Sequence, residues 1–348
     1  MAMRPATALD IQRWDELVAA NPDGGMALQT KAWGDFKGRW GWKPHRFVYE
    51  LADGRRVAAQ WLERRIGAGQ RIWYCPKGPG VITPADYAEV VSQTRDHLPG
   101  VFARFESEVL ADNAKASDLI GLGLVKGTRE PGSKSTIFMN LSLGEAALLA
   151  SFSQSARRNI RKAEAGGVVV SPMEATADNL DTMFELMKAT EKRAHYGLRP
   201  KAYFLDYWRA QIEAGQGQLL FASAGREMLA GIFVTFVGKR AWYKDGGSFD
   251  KRRELNATYL MQWEVMRWLM ARGITSYDLV GVPNRDQVGT GDSRDGLYEF
   301  KAKFNPEITE FIGTYDLPGS NFAYKLWLKG GERVAGKLAN SRPERFLY

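Results

Sequence analysis

The sequence of 348 residues is poor in the side chains that most often build metal-binding or reactive centres. It contains one cysteine, Cys75, and only three histidines, His45, His97 and His195. A single cysteine excludes an intramolecular disulfide framework and is typical of a reducing compartment. Because these four side chains are far apart in the sequence, we expect no zinc or iron–sulfur site.

Long apolar runs and phosphate-binding glycine motifs are also missing. No run of about 18 consecutive apolar residues occurs, so we expect no membrane-spanning segment. Asp10 and Arg13 come before any apolar block that could form a signal peptide, which predicts a cytoplasmic location. The absence of a Walker-type loop, a Rossmann glycine fingerprint and a Gly-x-Ser-x-Gly elbow argues against ATP hydrolysis, nicotinamide chemistry and serine hydrolysis.

Positive charge is what the sequence has in excess. It contains 48 Lys and Arg against 40 Asp and Glu, and its formal net charge is +8. Half of this excess lies in residues 318–348, whose basic side chains are Lys325, Lys329, Arg333, Lys337, Arg342 and Arg345. Two interpretations are open, namely a polyanionic partner or acidic surface, and a solvated basic tail.

One order of predicted elements occurs twice. The first copy has strands at 47–51, 57–62, 71–75 and 101–106, with a helix at 85–98. The second copy has strands at 218–224, 228–237, 240–245 and 274–280, with a helix at 256–271. Trp73-Tyr74 and Trp242-Tyr243 occupy equivalent places, and the returning strands carry Glu106 and Asp278. We interpret the pattern as a tandem duplication of one β-β-β-α-β unit in a mixed α/β fold.

Further helices are predicted at 10–20, 31–40 and 145–165. The last of these has an apolar stripe and two rows of like charge, formed by Arg157 with Arg161 and by Arg158 with Lys162. Like charges four residues apart destabilise an isolated helix by a few tenths of a kcal/mol, about 0.2–0.5 per pair. A bound phosphate would turn this repulsion into attraction, and a solvated face is the alternative.

The chemistry left open is a reaction whose substrates arrive already activated. Attack of an amine on an ester or thioester is such a reaction, and it needs no ATP or metal. The protein must position the two substrates, accept the proton of the amine and stabilise the charge of a tetrahedral intermediate.

Four segments of the sequence resemble one known family. They are residues 28–42 (LQTKAWGDFKGRWGW), 156–164 (ARRNIRKAE), 242–248 (WYKDGGS) and 296–304 (GLYEFKAKF). In this order they resemble the FemABX family of peptidoglycan bridge-forming aminoacyltransferases, and the resemblance runs from about residue 28 to 318.

The resemblance implies two tandem GNAT-like domains that face a cleft. The expected boundaries are 1–145 plus 318–348 for the first domain and 146–317 for the second, with the C-terminal tail packed on the first. Residues 145–205 leave no room for the long coiled-coil arm of some members, so the compact type that adds a single residue is expected. A monomer is expected as well.

The activity implied by the resemblance is transfer of an amino acid, namely Gly, Ala or Ser, from aminoacyl-tRNA. The acceptor would be the stem peptide of UDP-MurNAc-pentapeptide or of its lipid-linked form, lipid II. Aminoacyl-tRNA serves as co-substrate, no cofactor or metal is implied, and a lipid-linked acceptor would bring the enzyme to the inner membrane face. The basic helix at 153–162 and the basic tail are the candidate contacts for tRNA or lipid phosphates.

By the same resemblance, Lys301 would bind the acceptor and offset the negative charge of the tetrahedral intermediate. Phe300 would pack beside it. If Lys301 is instead a lysine at a strand edge, Lys303 is the competing candidate. Glu106 stands where many members have an aspartate and is the candidate proton acceptor, with Glu108 as its neighbour and the substrate's own groups as the alternative.

Four more residues complete the predicted acceptor site. The resemblance assigns Lys37 to the diphosphate, and Arg199 and Tyr203 to the diphosphate and uridine. Because side chains alternate along a strand, Trp242 and Tyr243 should point to opposite faces, and Tyr243 is the candidate for the cleft. A core tyrosine, a loop arginine or an exposed lysine would be the purely structural alternatives.

Two other functions remain open. One is a GNAT-type N-acyltransferase that uses acyl-CoA, although 76–80 and 246–248 are poor versions of a pyrophosphate loop. The other is a non-catalytic nucleic-acid-binding protein, which would explain the basic pI and the 41 aromatic residues. Against it, no recognised nucleic-acid-binding motif occurs and the aromatics follow core-like periods.

Overall fold

The computed structural model describes residues 3–66, 69–194 and 197–334. The chain divides into two compact units, of which unit 1 comprises Met1–Lys134 with Glu310–Tyr348 and unit 2 comprises Ser135–Thr309. Both divisions lie closer to the N-terminus than the predicted boundaries at 145 and 317. The physical reason is strand pairing, because residues 138–140 join the sheet of unit 2 and residues 311–318 pair within the sheet of unit 1.

Strands and helices alternate along the chain. The strands are β1 Arg4–Pro5, β2 Lys43–Glu50, β3 Arg56–Arg65, β4 Arg71–Cys75, β5 Phe102–Leu110, β6 Val125–Lys126, β7 Ser135–Thr136, β8 Phe138–Asn140, β9 Val168–Met173, β10 Gly217–Ala224, β11 Glu227–Val237, β12 Arg240–Ser248, β13 Ser276–Asp278 and β14 Thr309–Pro318. The α-helices are α1 Ala8–Gln12, α2 Trp14–Ala19, α3 Lys31–Arg39, α4 Pro84–Thr94, α5 Ala116–Gly121, α6 Gly144–Ser151, α7 Gln154–Ala165, α8 Ala177–Ala194, α9 Lys201–Glu213, α10 Ala257–Met270, α11 Asp295–Lys301 and α12 Asn321–Leu326.

The predicted duplication is present in the strand pairing of the two sheets. Unit 1 has the strand order β1-β2-β3-β4-β5-β14-β6, and unit 2 has the order β8-β13-β12-β11-β10-β9. In each, two antiparallel pairings are followed by a parallel pairing across a helix: β2-β3-β4-α4-β5 and β10-β11-β12-α10-β13. The mixed α/β fold of two similar units is therefore confirmed.

The two carboxylates of the returning strands are not equivalent in register. Asp278 pairs with Trp242, whereas the partner of Trp73 in unit 1 is Ala103, three residues before Glu106. The match of Glu106 with Asp278 that the sequence suggested is therefore wrong by three positions.

Two predicted helices are each broken into two. The run 10–20 forms α1 and α2, and the run 145–165 forms α6 and α7. Between the latter, the Ser153 hydroxyl accepts a hydrogen bond from the Ala156 N–H (3.2 Å) and caps α7. An N-cap residue requires non-helical backbone, so a helix cannot continue through Ser153, and Phe152 is buried just outside both helices.

The end of the described chain packs on unit 1, as the resemblance implied. β14 pairs with β5, and the rings of Tyr324 and Trp327 pack against Phe102 with centroid distances of 5.7 and 5.4 Å. Of the six basic residues of the predicted tail, Lys337, Arg342 and Arg345 lie outside the described residues.

A buried ion pair joins the two parts of unit 1 that are distant in sequence. Arg104 on β5 donates from Nε and Nη2 to the two carboxylate oxygens of Asp316 on β14, at 2.7 and 2.8 Å, and neither side chain is exposed. The Tyr324 hydroxyl donates to the same carboxylate at 2.9 Å. A bidentate pair of this kind fixes the register of the two strands as well as their proximity.

We predict that Asp316→Ala lowers the free energy of unfolding by about 3–5 kcal/mol, because the buried Arg104 loses its bidentate partner and Glu332, at 3.8 Å, is too distant to replace it. Urea denaturation followed by tryptophan fluorescence measures the change. The matched control is Glu16→Ala, which removes an exposed ion pair with Arg13 and should leave the midpoint unchanged. Equal effects of the two substitutions would contradict a stabilising role for the buried pair of Arg104 and Asp316.

Candidate active site

Lys301 is the last residue of α11 and is buried, with 3% of its surface exposed. Its Nζ donates to the carbonyl oxygens of Val280 and Gly281, the latter at 3.0 Å, and lies 5.6 Å from the centre of the Tyr243 ring. The structural alternative of a lysine at a strand edge is therefore wrong. Lys303, its competitor, is exposed.

The two carbonyls are presented by an unusual turn after β13. Val280 and Gly281 both have positive φ, 52° and 61°. This region is unfavourable for a β-branched residue, at about 1–3 kcal/mol, so surrounding contacts must impose it. Asp278 supplies one of them, because its Oδ1 accepts the Val280 N–H at 2.7 Å and the hydroxyl of Thr136.

Burial has a large effect on the ionisation of Lys301. Removal of the ammonium from water lowers its pKa to about 7, and the negative charge of Asp278 acts in the opposite direction. Near neutral pH this side chain can therefore exist as either ammonium or amine, whereas an exposed lysine is charged. A group with such a pKa can both stabilise an anion and transfer a proton.

A small pocket of about 150 Å³ lies beside Tyr243 and Phe300 in unit 2. Its other walls include Gly246, Gly247 and Thr190. A side chain at Gly247 would clash with the backbone of α8, and one at Gly246 would clash with the Tyr243 hydroxyl. Both glycines are therefore required by close approach of neighbouring groups.

A β-bulge in β12 separates two groups of predicted site residues. Val234 pairs with Tyr243 and Phe233 pairs with Asp245, so Lys244 is the extra residue. In a regular strand Tyr243 and Asp245 would share a face. Here Tyr243 packs against the core on the α10 side, while Asp245 accepts the indole N–H of Trp208 on α9 at 2.9 Å.

Arg199 and Tyr203 lie on the α9 side of this sheet and contact each other. The guanidinium of Arg199 is 4.7 Å from the centre of the Tyr203 ring, a cation–π distance. Burial raises the pKa of Tyr203 to about 12, partly offset by the positive charge of Arg199. The structure thus brings these two predicted residues together, and it brings Lys301, Tyr243 and Phe300 together on the other side.

The basic residues of α7 do not form one uniform surface. Arg158, Arg161 and Lys162 are exposed. Arg157 instead donates from Nη1 to the carbonyl oxygens of Ala150 and Phe152, at 2.6 and 2.7 Å. Arg157 therefore ties the end of α6 to α7, and the other three are the candidates for contact with phosphate.

Lys37, in the last turn of α3 in unit 1, is buried rather than exposed, with 4% of its surface accessible. Its ammonium lies 5.7 Å from the ring centre of Trp33 and 5.9 Å from that of Trp42. The two indoles hold the charge by cation–π contact. The alternative of a solvated helix lysine is wrong, and the predicted diphosphate contact stays a prediction.

Glu106 on β5 is also buried, and its carboxylate is held by two residues of β4 and the following turn. The Tyr74 hydroxyl donates to Oε2, and Nζ of Lys77 lies 3.2 Å from Oε1. A proton acceptor must be able to reach the amine of the substrate, so this ion pair would have to open. Its neighbour Glu108 is buried too.

Two further features concern metal binding and membrane insertion. Within residues 3–66, 69–194 and 197–334, no group of His, Cys, Asp and Glu side chains is placed to hold a metal ion. Over the same residues, no helix combines the length and apolar character needed to cross a bilayer.

Comparison with known proteins identifies the family of this chain. The model of the FemAB family matches residues 133–213 and 209–328, which is more than half of the chain. The chain belongs to the FemAB family. A curated relative, the lipid II:glycine glycyltransferase of Staphylococcus saprophyticus, is 22% identical over 88% of this chain and 91% of its own length.

Solved structures agree with the fold. The crystal structure of FemX matches with a TM-score of 0.80 at 21% identity, over 94% of this chain and 99% of its own. A tandem GNAT protein from the clavulanic acid biosynthesis pathway matches with a TM-score of 0.50 at 11% identity, over 92% and 98%. The expected family, the GNAT-like architecture and the enzyme class, an aminoacyltransferase, are confirmed.

Four residues around Lys301 were missed as site residues from the sequence, namely Thr136, Asp278, Val280 and Gly281. Asp278 was noted only as a carboxylate on a returning strand. The run Asp278-Leu-Val-Gly281 directly after a strand was the available signal, because an aspartate can accept the N–H two residues on in a tight turn. Thr136 is 142 positions away from Asp278, and no local pattern marks it.

We predict that Asp278→Asn lowers the pKa of Lys301 below about 7, because the negative charge that favours the ammonium is lost while an amide oxygen can still accept the Val280 N–H. Titration of ¹⁵N-labelled lysine side chains by NMR measures the pKa. The control is Glu299→Gln, an exposed charge on the same helix α11, which should leave it unchanged. An unchanged pKa in Asp278→Asn would refute the coupling.

Proposed function

We propose that the protein transfers a small amino acid from aminoacyl-tRNA to an amino group in the stem peptide of a peptidoglycan precursor. The observation that carries the proposal is the buried ammonium of Lys301, which is held by two carbonyls and lies near Tyr243, a residue that also lines a small pocket. Relatives that are named lipid II:glycine glycyltransferase support the same class of reaction. The acceptor is then lipid II or its soluble UDP-linked precursor.

Lys301 stabilises charge in this reaction. The amine of the acceptor attacks the ester carbonyl, forming a C–N bond and a tetrahedral oxyanion, and the C–O bond to the ribose then breaks. The proton lost by the amine ends on the leaving ribose oxygen, so no other reactant is consumed. An ammonium has three N–H donors, and Val280 and Gly281 accept two among the contacts of the described residues, which leaves one for the oxyanion.

We expect the transferred amino acid to be small, namely Gly, Ala or Ser. The pocket beside Tyr243 is bounded by Gly246 and Gly247, and each of these glycines is in close contact with a neighbouring group. Arg199 and Tyr203 of unit 2 are the proposed contacts for the diphosphate and uridine of the acceptor, and their cation–π contact places a positive charge beside a buried ring. That Lys37 contacts a diphosphate stays a prediction.

We predict that Lys301→Met lowers the rate of transfer by about 10²–10³-fold, the usual cost of removing one oxyanion donor. The assay combines the purified protein, UDP-MurNAc-pentapeptide or lipid II and a pool of charged tRNAs, and mass spectrometry detects the product. The matched control is Lys303→Met, an exposed lysine two residues on, which should retain activity.

A stability measurement separates this role from a structural one. Because the pKa of Lys301 falls from 10.5 to about 7 on folding, the unfolded chain binds more protons between these values, and the wild-type protein becomes more stable as the pH rises through this range. Lys301→Met should lose this dependence and be no less stable at pH 7. A variant that loses activity only because it unfolds would refute the catalytic role.

The same transfer assay tests the identity of the donor. Product that forms with acyl-CoA and is unaffected by RNase would refute aminoacyl-tRNA as the donor.

The exposed basic face of α7 is the proposed contact for tRNA phosphates. We predict that combined substitution of Arg158, Arg161 and Lys162 by Ala raises KM for aminoacyl-tRNA. It should also reduce the slope of log KM against the logarithm of the salt concentration by about 2, since each phosphate contact on a single strand contributes about 0.7. Kinetics at several salt concentrations measure both. A donor shortened to an aminoacylated dinucleotide should react equally well with both proteins, and Lys192→Ala on α8 serves as control. An unchanged salt slope would exclude this face as the contact for tRNA phosphates.

A further inference from the structure

The segment 321–334 at the end of unit 1 has an outward face that is unusually apolar. Phe322, Leu326, Leu328 and Val334 are exposed by 74, 54, 43 and 58% of their surfaces. Phe322 and Leu326 are four residues apart on α12, so they lie side by side on one face of the helix. Large apolar side chains that cluster in this way mark a surface that a partner covers.

Every charged side chain on the outward face of this segment is basic. Lys325, Lys329 and Arg333 are exposed. The one carboxylate, Glu332, is buried: it accepts the Thr128 hydroxyl at 2.8 Å and lies 3.4 Å from Arg129. The outward face therefore alternates aliphatic or aromatic groups with positive charge and presents no negative charge.

The segment is held firmly by its inward side. Tyr324 and Trp327 are buried against the ring of Phe102, and the Tyr324 hydroxyl donates to Asp316. The apolar side chains are thus displayed on a segment whose orientation on unit 1 is fixed. Binding through this face needs no prior rearrangement of the helix.

We propose that this face, defined by Phe322, Lys325, Leu326, Leu328 and Lys329, docks on the surface of a bilayer that contains anionic lipids. Apolar side chains enter the boundary between headgroups and acyl chains, while lysine stems lie along it and place their ammonium groups at the lipid phosphates. The inference deepens the proposed function, because a lipid-linked acceptor resides in such a surface.

Charge and residue type favour a bilayer over the other occupants. A single-stranded nucleic acid would be met by aromatic platforms, whereas three of the four apolar side chains here are aliphatic. A second copy of this chain would bring the same basic side chains against each other around a two-fold axis, which is repulsive. Phospholipid headgroups supply the negative charge that the face lacks.

The experiment is sedimentation of the full-length protein with two kinds of vesicle, phosphatidylcholine alone and phosphatidylcholine with phosphatidylglycerol. We expect binding to the anionic vesicles, weakened about tenfold or more by Phe322→Ser with Leu326→Ser and by Lys325→Glu with Lys329→Glu. The matched control is Ile120→Ser, which removes an equally exposed apolar side chain elsewhere in unit 1. It should bind as the wild type does.

Transfer to the soluble UDP-linked acceptor, measured in parallel, separates this proposal from the proposed function. Variants that keep this transfer but lose vesicle binding support the docking surface. Absence of vesicle binding by an active wild-type protein, equal binding by all variants, or a dimer that the Phe322 and Leu326 substitutions dissociate would overturn it. Vesicle binding without any transfer would leave the surface in place and refute the proposed function.

Discussion

The buried pair of Arg104 and Asp316 is the interaction on which unit 1 depends. It joins a strand that precedes unit 2 in the chain to a strand that follows it, 212 positions away. Backbone pairing, apolar contacts and polar contacts such as that of Glu332 with Thr128 also hold β14 and the segment after it, but none of them is a fully buried bidentate pair. Because Tyr324 donates to the same carboxylate, the pair also sets the orientation of the apolar and basic face at the end of the described chain.

The corresponding constraint in unit 2 is the turn after β13. The parallel pairing of β12 with β13 ends at Trp242 and Asp278, and beyond that point Val280 adopts a backbone conformation that its side chain disfavours. In this conformation the carbonyl oxygens of Val280 and Gly281 both accept hydrogen bonds from the buried ammonium of Lys301. The strained turn and the burial of Lys301 are thus coupled, and together they produce a lysine whose pKa lies near neutrality.

Much of the fold could be predicted because local patterns agree with it. Strand and helix periods gave the two β-β-β-α-β units, and the four family segments gave the class of enzyme. The failures have local physical causes. The apolar periodicity predicted one helix over 145–165, but Ser153 caps a new helix there and interrupts it. In β12, a bulge at Lys244 reverses the alternation of side chains after Tyr243. The roles assigned to the site residues, that of Lys301 included, remain predictions.

The sequence by itself determined the family, the duplicated architecture and the residues most worth testing, because element order and motifs are properties of short segments. Only the tertiary structure decided that Lys301 and Lys37 are buried, that Glu106 is paired with Lys77, and that Arg157 donates hydrogen bonds to the end of α6. Burial and ionisation depend on groups that are distant in the chain, as Thr136 and Asp278 show. No local pattern encodes the distance between such groups, so their chemistry could be read only after the chain had folded.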